Sequence, residues 1–135
     1  MDKVLFKSSK IGIKKSPIHG WGVFALEDIE IGDLIEECVY VPMDTYKDDD
    51  IMTFYSYPYP KLFGEIKDSN KKIDKLISVI VLGYGSLYNH STSPNVDYMT
   101  NTELGLFEFI SIKKITKGEE LFIKYKNTTF IKKIV

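Results

Sequence analysis

Short runs in which apolar and polar positions alternate dominate this chain, and the two-residue period predicts β-strands. Ile11 and Ile13 alternate with polar neighbours ahead of Ser16-Pro17, which predicts a short strand ending in a turn. Gly22-Val23-Phe24-Ala25 predicts a second strand, and Leu34 to Val41 a third that Pro42 stops. Between them Ile29-Glu30-Ile31-Gly32-Asp33 is a turn-bearing link. Phe107-Glu108-Phe109-Ile110-Ser111-Ile112 alternates as a half-buried strand, and Leu121 to Tyr125 follows after the turn Lys117-Gly118-Glu119-Glu120. Many short strands at close spacing predict a mainly β fold of several short sheets rather than a parallel α/β sheet.

The middle interrupts this rhythm. Residues 42–75 carry Asp48-Asp49-Asp50, the proline-bearing Tyr57-Pro58-Tyr59-Pro60 and a polar run from Lys67 to Lys72. Prolines argue against a regular strand. The expectation is an inserted loop with one short helix starting near Ile73 and running into Leu82. At 135 residues the chain is read as a single domain, 1–135, with a C-terminal cap at about 126–135.

Composition removes several classes of function. All 18 basic side chains are lysine, and neither arginine nor glutamine is present. With a net charge of -1 and no guanidinium forks, direct nucleic-acid binding is not expected. Cys38 is the single cysteine, so there is no internal disulfide and no cysteine-rich zinc cluster; it reads as a buried packing thiol. His19 and His90 lack a second pair of ligands, and no metal site is expected. The N-terminus has no apolar core of signal length, and the stretch Leu76 to Leu82 is far short of the ~18–20 residues that span a bilayer. A soluble intracellular protein is expected, cytoplasmic or in the host nucleus if viral, with no membrane partner.

Charge is segregated beneath the near-zero total. Residues 1–15 sum to +4 and residues 113–135 to +5, which leaves -10 for residues 16–112. Such a pattern is ordinary for a solvated surface, but an acidic centre also suits a cationic partner.

Three segments could carry chemistry, although each has a plain structural reading. Two glycines flank an aromatic in His19-Gly20-Trp21-Gly22-Val23-Phe24, where the backbone could approach a ligand or simply make a β-turn. Gly83-Tyr84-Gly85-Ser86-Leu87-Tyr88-Asn89-His90-Ser91-Thr92-Ser93-Pro94-Asn95 clusters loop formers, with an Asn-His pair able to read a polar ligand. Gly118-Glu119-Glu120-Leu121-Phe122-Ile123-Lys124-Tyr125 is a turn and a strand that ends on a tyrosine, a type that usually packs.

Taken together and in this order, the segments resemble the SET-domain protein lysine methyltransferases. The matching stretches are Gly20 to Ala25, Asn89-His90-Ser91 with Pro94-Asn95, and Gly118-Glu119-Glu120 through Tyr125, and the resemblance covers about residues 10–127. In length it is similar to the minimal viral and bacterial members, without cysteine-rich flanks. The resemblance implies the SET (β-clip) fold, with a knot-like C-terminal segment passing a loop that includes Pro94-Asn95. It implies S-adenosylmethionine as cofactor, held by Gly20, Trp21, Gly22, Asn89 and His90, with Tyr125 as the catalytic residue. Asn95 is mostly structural. Tyr98 falls where some members place a channel tyrosine, Tyr55 or Tyr57 supplies the aromatic from the inserted region, and Tyr88 is expected to pack. Ile123 stands where a tyrosine limits methyl addition in some relatives, and Phe130 matches an aromatic cap. The implied substrate is a lysine in a histone or another basic protein or peptide. The family also leaves room for a homodimer, and the alternative activity is that of a silent SET-like module binding a basic segment.

Overall fold

The computed structural model describes residues 2–42, 55–60 and 76–125. Among the described residues, ten short strands build three small sheets. The first has the order β1 (Ile11–Lys15), β2 (Trp21–Ala25), β10 (Glu120–Ile123) and β7 (Asn89–His90). In the second, β9 (Leu106–Ser111) lies between β3 (Leu34–Cys38) and β8 (Val96–Asn101). The third places β6 (Leu76–Val81) between β4 (Tyr40–Pro42) and β5 (Ser56–Pro60). The chain is mainly β and carries the SET arrangement of several small sheets.

Alternation explains most of these strands. In β9, Phe107 and Phe109 are fully buried, and burying each contributes roughly 1.5–3 kcal/mol. Their rings lie against Tyr57, at 5.3 and 6.1 Å, and join the inner faces of all three sheets through Val23, Val79, Ile115 and Leu121. The turns fall where the glycines predict. Gly32 at φ 87° and Gly118 at φ 94° take the left-handed conformation that a side chain resists. Beside them Ile29 and Ile115 exchange backbone bonds of 2.8 and 2.9 Å, which link the two loops.

Five expectations need correction. Leu34 to Val41 is not one strand: the chain leaves β9 after Cys38 and joins β6 from Tyr40, with Val39 as the exposed step between sheets. Pro42 is the last residue of β4 rather than a stop beyond it. Tyr57-Pro58-Tyr59-Pro60 does form a strand, because among the described residues β5 is at a sheet edge and pairs only with β6. Pro58 and Pro60 share one parity, so both missing N–H groups can face the unpaired side. No helix runs into Leu82, since Leu76 to Val81 is the central strand β6 and its β-branched run favours that state. The Asn-His pair, read as loop, forms β7 and pairs in parallel with Phe122 and Ile123. The remainder of the insert and the C-terminal cap with Phe130 lie outside the described residues.

Candidate functional site

Strand β10 delivers the last motif to the other two. On one side it pairs with β2, Glu120 opposite Phe24 and Leu121 opposite Val23; on the other it pairs with β7. Asn95 extends that second side as a strand would. Its Oδ1 accepts the Phe122 N–H at 2.7 Å, its Nδ2 donates to the Glu120 carbonyl at 2.9 Å, and its own N–H donates to the Phe122 carbonyl at 3.2 Å. The structural reading of Asn95 matches this geometry. Clasped in this way, β10 sets down Tyr125 two residues past its end.

Tyr125 is fixed at two points. Its backbone N–H donates to His90 Nδ1 at 2.9 Å, and its hydroxyl donates to the Tyr88 carbonyl at 3.1 Å. The first bond makes Nδ1 an acceptor, so the imidazole is neutral with its proton on Nε2. Burial, helped by Lys124, lowers the His90 pKa and favours that neutral form. For Tyr125, burial first, then Tyr55 and Glu120, push the phenol up to about 12. At neutral pH this hydroxyl keeps its proton.

Aromatic rings gather around it. Half-buried Tyr98 lies edge-on to Tyr57 at 4.9 Å and within 5.7 and 6.0 Å of Phe107 and Phe109. Tyr57 is buried and anchored, its hydroxyl donating to the Gly85 carbonyl at 2.5 Å. Tyr125 and Tyr98 both act on its phenol, after burial, and Tyr55 is close enough to act on that of Tyr125. Thus Tyr55, Tyr57, Tyr98 and Tyr125 come together, with Ile123 buried on β10. Tyr88 packs as expected, stacked on Phe109 at 4.8 Å.

The glycine motif is split between open and filled space. Gly20 takes φ 51° with nothing within 4 Å of where a Cβ would be, and Trp21 beside it is 54% exposed. Gly22 differs: a Cβ there would sit 2.2 Å from Glu120 Oε2 and 3.0 Å from Asn89 Nδ2. The buried Glu120 carboxylate is a hub that the sequence reading passed over as part of a turn. It accepts Ser16 Oγ–H at 2.8 Å and Asn89 Nδ2–H at 2.7 Å. Ser16 in turn accepts the Ile18 N–H at 3.0 Å, while the second Asn89 N–H goes to the His19 carbonyl at 3.0 Å. Both amide donors of Asn89 are therefore spent, which leaves Oδ1 as its remaining polar atom.

Away from this junction, Cys38 is buried, and desolvation with the Glu36 charge beside it raises its thiol pKa far above the usual range. It packs and does not react. Among the described residues, no three His, Cys, Asp or Glu side chains group to hold a metal ion. Likewise, no helix among them is long and apolar enough to cross a membrane.

The convergence of the three motifs on Tyr125 agrees with a family-level match: the SET domain model covers residues 20–126. The chain belongs to the SET-domain family. The crystal structure of a candidate histone methyltransferase from Plasmodium falciparum is similar, with 28% identity and a TM-score of 0.65, covering 89% of this chain and 96% of that one. No curated protein matches the sequence. In this SET domain, then, β2, β7 and β10 hold the motifs side by side, and the aromatic cluster supplies the apolar wall next to them.

Proposed function

We propose that this SET domain transfers a methyl group from S-adenosylmethionine to the side-chain amine of a lysine in a histone or another basic protein. The observation that carries the reading is the Tyr125 hydroxyl, its proton committed to the Tyr88 carbonyl at 3.1 Å beside the cluster of tyrosines. The residues near it suit the cofactor's chemistry. Asn89 Oδ1 is an acceptor for an ammonium group, Gly20 leaves open space, and exposed Trp21 offers an aromatic face. Gly20, Trp21, Asn89 and His90 would hold it, while Gly22 contributes by making room for Glu120. When bound, the cofactor supplies a methyl group on a positively charged sulfur.

The chain's own part is alignment and desolvation. Transfer needs an unprotonated amine placed in line, and positioning alone is worth several kcal/mol of barrier. Walls built by Tyr55, Tyr57 and Tyr98 exclude water, which lowers the pKa of an entering lysine. Tyr125 does not serve as a base, because its phenol holds its proton up to about pH 12. With that proton directed at Tyr88, the lone pairs of the hydroxyl remain for an N–H of the amine. His90 keeps the Tyr125 backbone in place.

Incubating the protein with labelled cofactor and histones or basic peptides should label lysines. Tyr125→Phe should cut that labelling at least about 100-fold, or ~2.7 kcal/mol of barrier, with an unchanged circular dichroism spectrum. A folded wild-type protein that never binds the cofactor would overturn the proposal.

A further inference from the structure

Glu36 is a buried acid that the transfer chemistry described above leaves without a task. A register shift between Leu34 and Glu36 breaks the alternation of β3, so Ile35 and Glu36 both face inward, each 1% exposed. Burying a carboxylate is costly unless donors surround it, and a leucine would fill the volume without that cost. Among the described residues no lysine pairs with it. Instead two neutral donors converge: the Tyr88 hydroxyl reaches Oε2 at 2.5 Å and the Tyr84 N–H reaches Oε1 at 3.3 Å.

Both donors belong to one short segment, residues 83–88. It begins at Gly83, with φ 71°, where a Cβ would lie 3.0 Å from Glu36 Oε1, and it ends at Tyr88. Tyr57 holds the middle through the Gly85 carbonyl, and Glu36 holds both ends. Tyr88 faces two ways: its hydroxyl binds Glu36, and its carbonyl accepts the Tyr125 hydroxyl. We propose that Glu36 is a positioning residue for methyl transfer, fixing Tyr88 so that its carbonyl directs the Tyr125 hydroxyl proton away from the substrate amine. This rests on the methyltransferase reading above and adds a residue that acts through Tyr88.

The test compares Glu36→Gln, Tyr88→Phe and their double variant with the wild-type protein. Glu36→Gln keeps one acceptor and nearly the same volume, so it guards against simple unfolding. Each single variant should lower kcat about tenfold, with KM for a histone peptide and calorimetric cofactor affinity within about twofold. The double variant should be no worse than the poorer single one, since both act through one bond. Ile115→Val, in the core where Ile115 pairs with Ile29, is the stability control and should leave kcat unchanged. The proposal is overturned if both single variants keep wild-type kcat, or if Ile115→Val lowers kcat equally at equal loss of melting temperature. Wild-type protein that binds cofactor and peptide yet transfers no methyl group would refute the functional reading itself, and this inference with it.

Discussion

Adding one methyl group at Gly22 should unsettle the whole junction of β2, β7 and β10. An alanine Cβ there would lie 2.2 Å from Glu120 Oε2 and 3.0 Å from Glu120 Cδ, so the carboxylate must withdraw by about 1 Å or more to reach ordinary contact distance. It cannot do so and keep both the 2.7 Å bond from Asn89 and the 2.8 Å bond from Ser16. A hydrogen bond to a charged group contributes about 1.5–3 kcal/mol, and of the stranded partners Asn89 is buried and Ser16 half-buried. We expect Gly22→Ala to cost about 2–4 kcal/mol, lowering the melting temperature by roughly 7–14 °C for a chain of this length. Urea unfolding followed by far-ultraviolet circular dichroism, without cofactor, measures the cost. A double-mutant cycle isolates its cause. Glu120→Ala removes the obstacle as well as the hub, so Gly22→Ala/Glu120→Ala should cost no more than Glu120→Ala alone, within ~0.5 kcal/mol. Costs that simply add would refute the packing argument. So would a neutral Gly22→Ala, which would return Gly22 to a role in ligand approach only.

His90 should titrate below the ordinary 6.5, because burial and then Lys124 disfavour its charged form. As pH falls the unfolded chain takes up this proton first, so the stability contribution is full above about pH 6.5 and is lost as pH drops through the lowered folded value. Following the His90 ring proton by NMR checks this, and a midpoint at or above 6.5 would contradict it. Asn95→Ala should cost about 2–4 kcal/mol by urea denaturation, since it removes two side-chain bonds and strands the Phe122 N–H; a loss under ~0.5 kcal/mol would show that β10 is held by its other contacts. Ile123 places an aliphatic side chain beside the tyrosines, so mass spectrometry of the product should show more than one methyl per lysine. Strictly monomethylated product at high enzyme would reject that reading.

What could be read from the sequence depended on whether the signal was local. Gly20-Trp21-Gly22, Asn89-His90 and Tyr125 stand in order along the chain, and their resemblance to a family identified the junction before any geometry was known. Strand β9 was legible because Phe107 and Phe109 alternate with half-buried neighbours. Strand β5 was not, since only its edge position makes two prolines tolerable. The run Leu76 to Val81 is too short for its period to separate helix from strand, and its β-branched residues were the overlooked clue. The Glu120–Ser16 bond spans 104 residues and the Glu36–Tyr88 bond 52, so neither leaves a pattern in any local window. Gly22 is instructive, because a glycine required by a distant side chain looks the same in sequence as one required by a ligand.

The charge segregation changes meaning once the chain is folded. Along the sequence, a -10 centre lies between basic ends and suggests a broad field drawing in a basic substrate. In space the ends return to that centre: Lys3 pairs with Glu37 at 3.0 Å, and Lys114 approaches Glu30 at 3.9 Å. Glu37 also accepts the Phe6 N–H, and its pKa is lowered chiefly by the Lys3 hydrogen bond, so that carboxylate is occupied in tying down the N-terminal arm. Glu36 is buried and screened from any partner. Exposed charges act over only about 8 Å at physiological salt, so what matters is the sign near the site rather than the sum over a segment. Among the described residues, exposed Asp97 has the relevant place. Its charge reaches the neighbouring Tyr98 phenol, whose pKa burial and then Asp97 raise. Selection of a basic substrate is therefore better sought in single carboxylates beside the aromatic wall than in the acidic composition of the centre.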